Sequence, residues 1–389
     1  MNVYKLKEIF IEFKDGDWIE SKNQSEDGIR LIQTGNIGNG IYIEKSTKAK
    51  FISEKTMEEL NCNEIFEGDI LISRLPSPVG RACILPNLRT RAITAVDCTI
   101  GRIDYKICNR KYFIYFTMSD DYSRQINKFV VGTTRKRISR KNLEEINISL
   151  PNIAIQNKIV EKLDIALELI NKRKLQIKEL DLLVKSKFIE MFGDPVSNPM
   201  RWDKKRLADE CNIITGNTPS RKVEEYYGNY IEWIKSDNIT NSGLYLTTAR
   251  EYLSEEGLKV GRSIDAGSIL MTCIAGSIKC IGNVAMTNRK VAFNQQINGI
   301  EPLENNVYFM FQQFKLSQKY MQSTINMSLK GILSKGQLSE LEFIFPPIEK
   351  QNEFARFFKQ IDKLKFEMEQ SLKELEDNFN SLMQKSFNI

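Results

Sequence analysis

The sequence predicts an α+β protein with a pseudo-twofold internal repeat: two similar globular domains separated by two long helices that form an antiparallel coiled coil. Three observations predict this architecture. The second half of the chain repeats segments of the first, each half mixes short β-branched runs with helical patterns, and each half ends in a segment with an apolar period of 3.5 residues. A length of 389 residues also exceeds the roughly 100–200 residues of one typical domain.

The repeat consists of three pairs of matching segments. In chain order, they are 29–37 with 231–239, 68–73 with 267–272, and 143–151 with 338–346. The offset falls from 202 residues (29 to 231) to 195 residues (143 to 338), so a few loop residues differ between the copies. We therefore divide the chain into a first globular domain (1–150), a central spacer helix (151–193), a second globular domain (194–345) and a distal spacer helix (346–389).

Both helical segments carry a heptad pattern of apolar residues. The steps alternate between four and three residues, and adding 195 to each position of the first set gives the second set. The apolar seam positions are Ile159, Leu163, Ile170, Ile177, Leu180, Val184, Phe354, Phe358, Ile361, Met368, Leu372, Leu375 and Phe379. This period over about four heptads is typical of a coiled coil, and about 40 residues make a helix of roughly 60 Å.

Each spacer helix could instead pack only on its own globular domain. The matching length and register of the two helices favour their pairing with each other, and the domain between them lets the chain return antiparallel. Arg173 and Lys365 occupy seam positions, where polar side chains commonly fix the register of a coiled coil. Pro151 and Pro346 stand before the two helices, as expected near a helix start.

Inside the globular domains the pattern is mixed. Short β-branched runs at 69–73 and 147–150 predict strands. The segments 112–119 and 308–315 fit either strand or helix, and we favour helix. The glycine-rich segment 35–40 could cradle a phosphate, but no Lys-Ser or Lys-Thr follows it, so a turn between strands is the better interpretation.

The composition excludes several classes of function. The chain has no histidine, which removes His-based general bases, Ser-His and Cys-His nucleophiles and His-ligated zinc. The seven cysteines form no Cys-x-x-Cys pair, and their odd number argues against a disulfide framework. We find no nucleotide-binding glycine loop, metal-spaced carboxylates, signal peptide or membrane-spanning run. We expect a reduced, cytoplasmic protein without catalytic or metal-binding residues.

The distribution of charge is more informative than its net value of +6. Aspartate and glutamate are absent from four windows that contain several lysines or arginines, and each half has two windows at corresponding places: 70–96, 122–143, 266–300 and 305–339. These windows could simply be strands and loops that lack carboxylates. Their repetition favours a surface that binds a polyanion, in particular nucleic acid.

The windows supply candidate DNA-binding residues. Arginine and lysine bind phosphates or guanine, asparagine and glutamine bind adenine, and serine and threonine position phosphates. The candidates of these types are Arg74, Ser77, Arg81, Arg89, Arg91, Thr133, Thr134, Arg135, Lys136, Arg137, Lys279, Asn283, Asn294, Gln295, Gln296, Lys330 and Lys335. Two similar but diverged DNA-binding domains on a rod suggest recognition of an asymmetric bipartite site, whereas a homodimer would bind a palindrome.

Several motifs resemble the specificity subunit of type I restriction-modification systems, and the resemblance covers nearly the whole chain. Thr215-Gly216-Asn217-Thr218-Pro219-Ser220 and the run 225–237 are similar to the opening of a target recognition domain in that family, and 15–20 with 28–37 looks like a variant of it. The segments 150–156 and 345–351 resemble the starts of the spacer helices, and 187–195 resembles the end of the central one. The resemblance adds Thr218, Ser220, Arg221 and Lys235 to the candidate DNA-binding residues.

The resemblance implies a non-catalytic subunit. Each recognition domain would bind one half of a split double-stranded DNA site, and the helix pair would set the gap. Two modification subunits would methylate adenine N6 with S-adenosylmethionine, and restriction subunits would add ATP- and Mg-dependent translocation and cleavage, so that this chain binds no cofactor itself. The alternatives are a free-standing coiled-coil DNA-binding or scaffold protein without methyltransferase partners, and, less favoured, a histidine-free nuclease.

Overall fold

A computed structural model describes residues 2–325 and 331–387 of the protein. The chain divides into two compact units. The first unit comprises Met1–Lys174 with Gln370–Ile389, and the second comprises Leu175–Glu369. Both boundaries fall inside long helices. Each unit therefore contains one globular part together with one end of each long helix.

The first unit is built from short strands and helices that precede the central helix. Its strands are β1 (Asn2–Lys5), β2 (Phe10–Asp15), β3 (Ile29–Ile32), β4 (Phe51–Ile52), β5 (Glu64–Ile65), β6 (Ile70–Ser73), β7 (Ala82–Ile84), β8 (Ala92–Thr94), β9 (Cys98–Ile103) and β10 (Asn147–Leu150). Its helices are α1 (Leu6–Ile9), α2 (Glu54–Glu59), α3 (Arg110–Thr117), α4 (Asp120–Phe129), α5 (Arg140–Glu144) and the start of α6 (Ile153–Phe192).

Two four-stranded sheets form the centre of the first unit. One is antiparallel with the order β2-β9-β6-β7, and the other has the order β4-β3-β8-β5, in which β3 and β8 are parallel. The strand β6 is buried along its whole length, which explains its continuous apolar run. Behind the sheets, α3 and α4 contribute large buried aromatic side chains such as Phe113 and Tyr122 to the main core.

The second unit contains the following elements in chain order. Its strands are β11 (Lys204–Arg206), β12 (Cys211–Thr215), β13 (Tyr227–Gly228), β14 (Ile231–Ile234), β15 (Tyr252–Leu253), β16 (Ser263–Ile264), β17 (Ile269–Thr272), β18 (Val284–Met286), β19 (Val291–Phe293), β20 (Ile297–Pro302) and β21 (Glu342–Ile344). Its helices are α7 (Leu207–Glu210), α8 (Ser236–Thr240), α9 (Glu255–Val260), α10 (Val307–Leu316), α11 (Gln318–Ser323), α12 (Lys335–Glu340) and the start of α13 (Ile348–Phe387).

The second unit repeats the sheet topology of the first. An antiparallel sheet has the order β12-β20-β17-β18, and a second sheet, β13-β15-β14-β19-β16, contains the parallel pair β14 and β19. The strands predicted at 69–73 and 147–150 and the helices favoured at 112–119 and 308–315 are all present. The glycine-rich segment 35–40 lies in a turn that a bridge between Ile37 and Tyr42 closes.

A buried glutamine anchors the start of the central helix to the first globular part. Gln156 is 0% exposed; its Nε2 donates to the carbonyl oxygens of Ile107 (3.0 Å) and Pro151 (2.8 Å), and its Oε1 accepts the N–H of Asn109 (2.9 Å). Asn109 in turn donates from Nδ2 to Asn157 Oδ1 (2.8 Å). Three backbone groups thus depend on one buried side chain.

The second copy repeats this arrangement at the start of α13. Gln351 donates from Nε2 to the carbonyl oxygen of Pro346 (2.8 Å) and to Asn305 Oδ1 (2.8 Å), and it accepts the N–H of Asn306 (2.9 Å). Asn306 donates to Asn352 Oδ1 (2.8 Å). The repeated proline, glutamine and asparagine are therefore explained as the residues that fix a long helix to the globular part beside it.

The two long helices, 40 residues each, pair with each other in both units. In the first unit, Lys174 forms an ion pair with Glu376 (2.7 Å). In the second unit, Asp181 pairs with Lys365 (2.7 Å), and further along α6 the ring of Phe188 packs on that of Phe354 (5.4 Å between centroids). Partner numbers fall as α6 advances, so the helices are antiparallel, as the sequence predicts.

The helices also pack on the globular parts. The alternative considered from the sequence was that each helix packs only on its own globular domain and not on the other helix. Leu163 of α6 and Phe379 of α13 belong to the core of the first unit, while Phe188 and Phe354 belong to that of the second. The seam residues predicted from the heptads are all buried or half-buried. Each globular part therefore rests on one end of both helices.

Candidate nucleic-acid interface

In the first unit, four loops meet at one end of the two sheets. The N–H of Asp17, in the loop after β2, donates to the carbonyl oxygen of Thr94 at the end of β8 (2.8 Å). The N–H of Arg74, after β6, donates to the carbonyl oxygen of Asp97 (2.9 Å), and Ile138 donates to that of Arg74 (3.2 Å). The loop between α4 and α5 is thereby joined to the others.

The loop 131–137 carries three exposed positive charges at this end. The backbones of Val131 and Arg137 exchange two hydrogen bonds (3.0 and 2.9 Å), which close the loop. The side chain of Asp97 pairs with Arg137 (3.1 Å) and Arg135 (3.7 Å). The predicted residues of this loop, all exposed, are Thr133, Thr134, Arg135, Lys136 and Arg137. The structure thus brings this group together on one surface.

Two predicted DNA-binding arginines have structural roles instead. Arg81 is 8% exposed and donates to four backbone carbonyl oxygens, which belong to Thr34, Ile37, Leu75 and Pro78 (2.6–2.8 Å). Its burial lowers the pKa of the guanidinium.

Arg74 is 6% exposed, hydrogen-bonds the carbonyl oxygen of Val96 and pairs with Asp15 (3.5 Å). Both side chains hold the loops in shape. The donors of Arg81 face backbone oxygens, and those of Arg74 face a backbone oxygen and the Asp15 carboxylate, so neither side chain is presented to solvent as the predicted DNA contact would require.

The structure separates Arg89 and Arg91 from the cationic loop. Both lie in the turn before β8, whereas Asp97 follows the end of that strand. Arg91 is engaged by two carboxylates, Glu64 (2.9 Å) and Glu54. Ser77 is exposed in the loop after β6, three residues beyond Arg74, whose backbone belongs to the loop cluster. An acid-free window in the sequence therefore contains residues from both ends of the sheets.

In the second unit, a carboxylate again sits between two exposed or half-exposed cations. Glu251 pairs with Arg221 and Lys235, and the hydrogen bonds from Lys235 and Arg221 lower the pKa of Glu251. The Arg221 guanidinium lies 4.3 Å from the ring centroid of Tyr227 and 5.2 Å from that of Trp233. Stacking and ion pairing together hold these two cations on the surface.

Polar candidates of the second unit lie beside this cluster. Thr218 is exposed and donates to Gln295, which is also exposed. Asn294 is 6% exposed and exchanges hydrogen bonds with Gln296 (3.1 and 3.2 Å), so it supports the loop from inside. Ser220 is exposed.

The remaining candidates of the second unit are less central. Asn283 accepts from Gln318 Nε2 (2.8 Å), which occupies its side-chain oxygen. Lys279 and Lys335 are exposed. Lys330 lies outside the described residues, which omit 326–330.

Three residues of these surfaces were not among the candidates predicted from the sequence: Trp18, Asp97 and Glu251. The two carboxylates lie outside the acid-free windows and are brought to the cations only by folding. Trp18, 70% exposed, lies in the loop after β2. The sequence contained a signal for this exposure: the residues before Trp18 are polar or glycine, as expected for a turn and not for a core segment.

The duplicated fold and the loop cluster at the end of each pair of sheets define a class of DNA specificity proteins. Residues 1–179 and 199–377 match the family described as Type I restriction modification DNA specificity domain. The matches cover most of the chain, so it belongs to this family, which confirms the resemblance noted from its motifs.

Named relatives agree with this assignment. The chain is 29% identical over 173 residues to the type I restriction enzyme MjaIX specificity subunit of Methanocaldococcus jannaschii, a match that covers 43% of this chain and 39% of that protein. It is 32% identical over 157 residues to the HindI specificity subunit of Haemophilus influenzae, covering 39% of this chain and 33% of that protein. The chain thus spans less than half the length of these relatives.

Longer matches exist at lower identity. The StySPI specificity subunit of Salmonella potsdam is 20% identical over 394 residues, with 93% of this chain and 82% of that protein covered. A chain from a solved type I restriction-modification system has a TM-score of 0.64 at 17% identity and covers 99% of this chain and 97% of its own. The S subunit from M. genitalium has a TM-score of 0.57 at 14% identity, with 99% and 96% covered. These two structures share the fold.

Within residues 2–325 and 331–387, no group of three or more cysteine, aspartate or glutamate side chains is placed to hold a metal ion. In the same part of the chain, no helix is both long enough and apolar enough to cross a membrane.

Proposed function

We propose that this chain is the DNA-reading subunit of a type I restriction-modification complex and recognises an asymmetric bipartite site in double-stranded DNA. The observation that carries the proposal is the duplicated loop cluster, in which exposed cations and hydrogen-bonding side chains lie at the same end of equivalent sheets in both units. Cations supply affinity for phosphates, and polar or aromatic side chains supply discrimination between bases.

Divergence between the two copies supports an asymmetric site. Gly16 and Gly216 occupy equivalent turns. Each turn passes so close to the end of a neighbouring strand that a Cβ atom on the glycine would lie within 2.5 Å of two backbone carbonyl oxygens. Two positions later, the first unit has Trp18 and the second has Thr218. Different side chains at equivalent positions of the two surfaces predict different half-site sequences.

The proposal assigns recognition of one half-site to residues 1–150 and of the other to residues 194–345. The spacer helices at 151–193 and 346–389 would set the gap between half-sites and form the frame on which partners dock. Two modification subunits and the restriction subunits are the proposed partners, in the cytoplasm. S-adenosylmethionine, ATP and Mg²⁺ would be bound by those partners, while this chain contributes no catalytic group.

The test is the methylation of genomic DNA. A strain that expresses this chain with its partner subunits should carry N6-methyladenine in a motif with two specified parts separated by a fixed gap, and a strain that lacks only this chain should not. Methylation that persists without the chain would refute the assignment. Methylation by the purified chain alone would show that it has its own active site.

The alternative is a free-standing coiled-coil DNA-binding or scaffold protein. Membership of the specificity family favours the first proposal. The two are distinguished by purification under native conditions: the proposal expects methyltransferase subunits to copurify with the chain, and self-association through the long helices without such subunits would support the scaffold.

A further inference from the structure

Trp18 is an unusual surface residue. Its side chain is 70% exposed, which is more than any other large aromatic side chain in the described part of the chain. The other two tryptophans differ: Trp202 is half-buried and Trp233 is 3% exposed. A single exposed aromatic residue is common on protein surfaces, so the case for Trp18 depends on how it is held and on what surrounds it.

The backbone on both sides of Trp18 is held firmly. Asp17 donates its N–H to the carbonyl oxygen of Thr94 (2.8 Å), and its carboxylate accepts the N–H and Nδ2 of Asn63 (2.8 and 2.9 Å). On the other side, Ile19 packs against the buried cluster that contains Ile93. The indole therefore projects from a fixed position, with only a weak hydrogen bond from Nε1 to Glu20 (3.4 Å). Preorganisation of this kind lowers the cost of binding.

The same pattern occurs at the equivalent position of the second unit. Asn217 is held by hydrogen bonds with the carbonyl oxygen of Val260 (2.8 Å) and the N–H of Arg262 (2.9 Å), and Pro219 is buried. Thr218 between them is exposed. Trp18 and Thr218 are thus the outward-facing residues of a turn geometry that the two units share, although the first unit has no Thr-Pro-Ser sequence.

The surroundings of Trp18 favour DNA as the surface that covers it. Its loop is hydrogen-bonded to the end of β8. Three residues after that strand end, Asp97 forms ion pairs with Arg135 and Arg137. Cations beside it provide sites for phosphates. The indole itself has one donor and a large apolar face, which suits bases or a thymine methyl group and not a phosphate.

We propose that Trp18 is a specificity-determining residue that contacts the bases of the half-site bound by the first unit, an inference that rests on the proposed DNA-reading function. Its flat apolar face buries base surface, while the adjacent cations hold the phosphates. The residue at the equivalent position of the second unit, Thr218, performs the corresponding contact with a small hydrogen-bonding side chain.

The test compares three variants of the full chain, Trp18→Ala, Trp18→Phe and the matched control Tyr105→Ala. Tyr105 is also an exposed aromatic residue of the first unit (57%), but it follows β9, whose opposite end adjoins the loop of Trp18. The probes are a duplex with the methylated motif and two duplexes in which one or the other half-site is scrambled. Trp18→Ala should weaken binding to the intact motif about ten-fold. The control should bind like the unchanged protein.

Selectivity and fluorescence provide separate readouts. On the duplex whose first-unit half-site is scrambled, Trp18→Ala and the unchanged protein should bind equally. DNA should quench the tryptophan emission of the unchanged protein, and Trp18→Phe, which keeps an aromatic face, should bind well but lose that part of the quenching. Equal quenching in Trp18→Phe, or an equal loss of affinity on all three duplexes, would overturn the inference. Absence of DNA binding by the unchanged chain in its complex would instead refute the proposed function.

Discussion

The exposed cationic loop of the first unit provides a quantitative test of the DNA interface. We consider the replacement of Arg135, Lys136 and Arg137 by alanine. The loop is closed by backbone hydrogen bonds between Val131 and Arg137, which alanine retains, and the arginine side chains are 73% and 50% exposed. The change should therefore remove charge without removing packing.

The expected magnitude follows from counterion release. Each phosphate contact contributes about 0.9 to the slope of log K against log salt, so three contacts contribute about 2.7. At an ionic strength of 0.15 M the same relation gives roughly a five-fold loss of affinity per contact, or about a hundred-fold for all three. Because these contacts are with the backbone, the loss should be similar for cognate and unrelated duplexes.

The assay is fluorescence anisotropy of a labelled duplex, measured across a series of salt concentrations. A matched control replaces Lys55, Arg89 and Arg91, which removes the same number of charges from the region of α2 and the start of β8, where Arg91 pairs with Glu54. The slope should fall for the loop variant and stay nearly constant for the control. An unchanged slope for the loop variant, or an equal fall in both, would show that the loop does not lie on the DNA.

Two further predictions follow from individual contacts. Asp97→Asn removes the carboxylate that pairs with Arg135 and Arg137, and a charge about 7 Å from a phosphate in water is worth roughly 0.6 kcal/mol, so affinity for any duplex should rise about three-fold. Weaker binding in the same anisotropy assay would mean that the carboxylate orients the arginines. Gln156→Leu leaves three backbone groups at the start of α6 without their hydrogen-bond partner and should destabilise the first unit by about 3 kcal/mol or more. The control Asn157→Ala removes only an exposed hydrogen bond and should cost less than about 1 kcal/mol. Hydrogen exchange of the α6 amides near Gln156 measures the difference, and equal exchange in both variants would contradict the anchoring role.

The architecture was predictable because it is encoded in periodic patterns. The heptads of the long helices and the repeated segments depend on spacing along the chain alone, and so does the proline, glutamine and asparagine pattern that fixes each helix start. Local pattern left α3 open between strand and helix, with helix favoured, and the structure has a helix whose start is capped by Asn109.

The interface was less predictable, because it depends on residues distant in sequence. Arg81 shares an acid-free window with exposed residues, yet it points inward because four carbonyl oxygens from the loops after β3 and β6 surround it. Asp97 and Glu251 lie outside the windows and reach the cations only in the folded units. Charge distribution along the sequence predicts which segments are basic, but it does not tell which side of a strand or which end of a sheet carries each charge.

Each globular part should read one half of a bipartite site independently of the other. The decisive measurement exchanges residues 194–345 for the corresponding segment of another family member and maps N6-methyladenine in cells that contain the partner subunits. Independent reading predicts that one half of the methylated motif changes while the other half is kept. A change in both halves, or in neither, would contradict it.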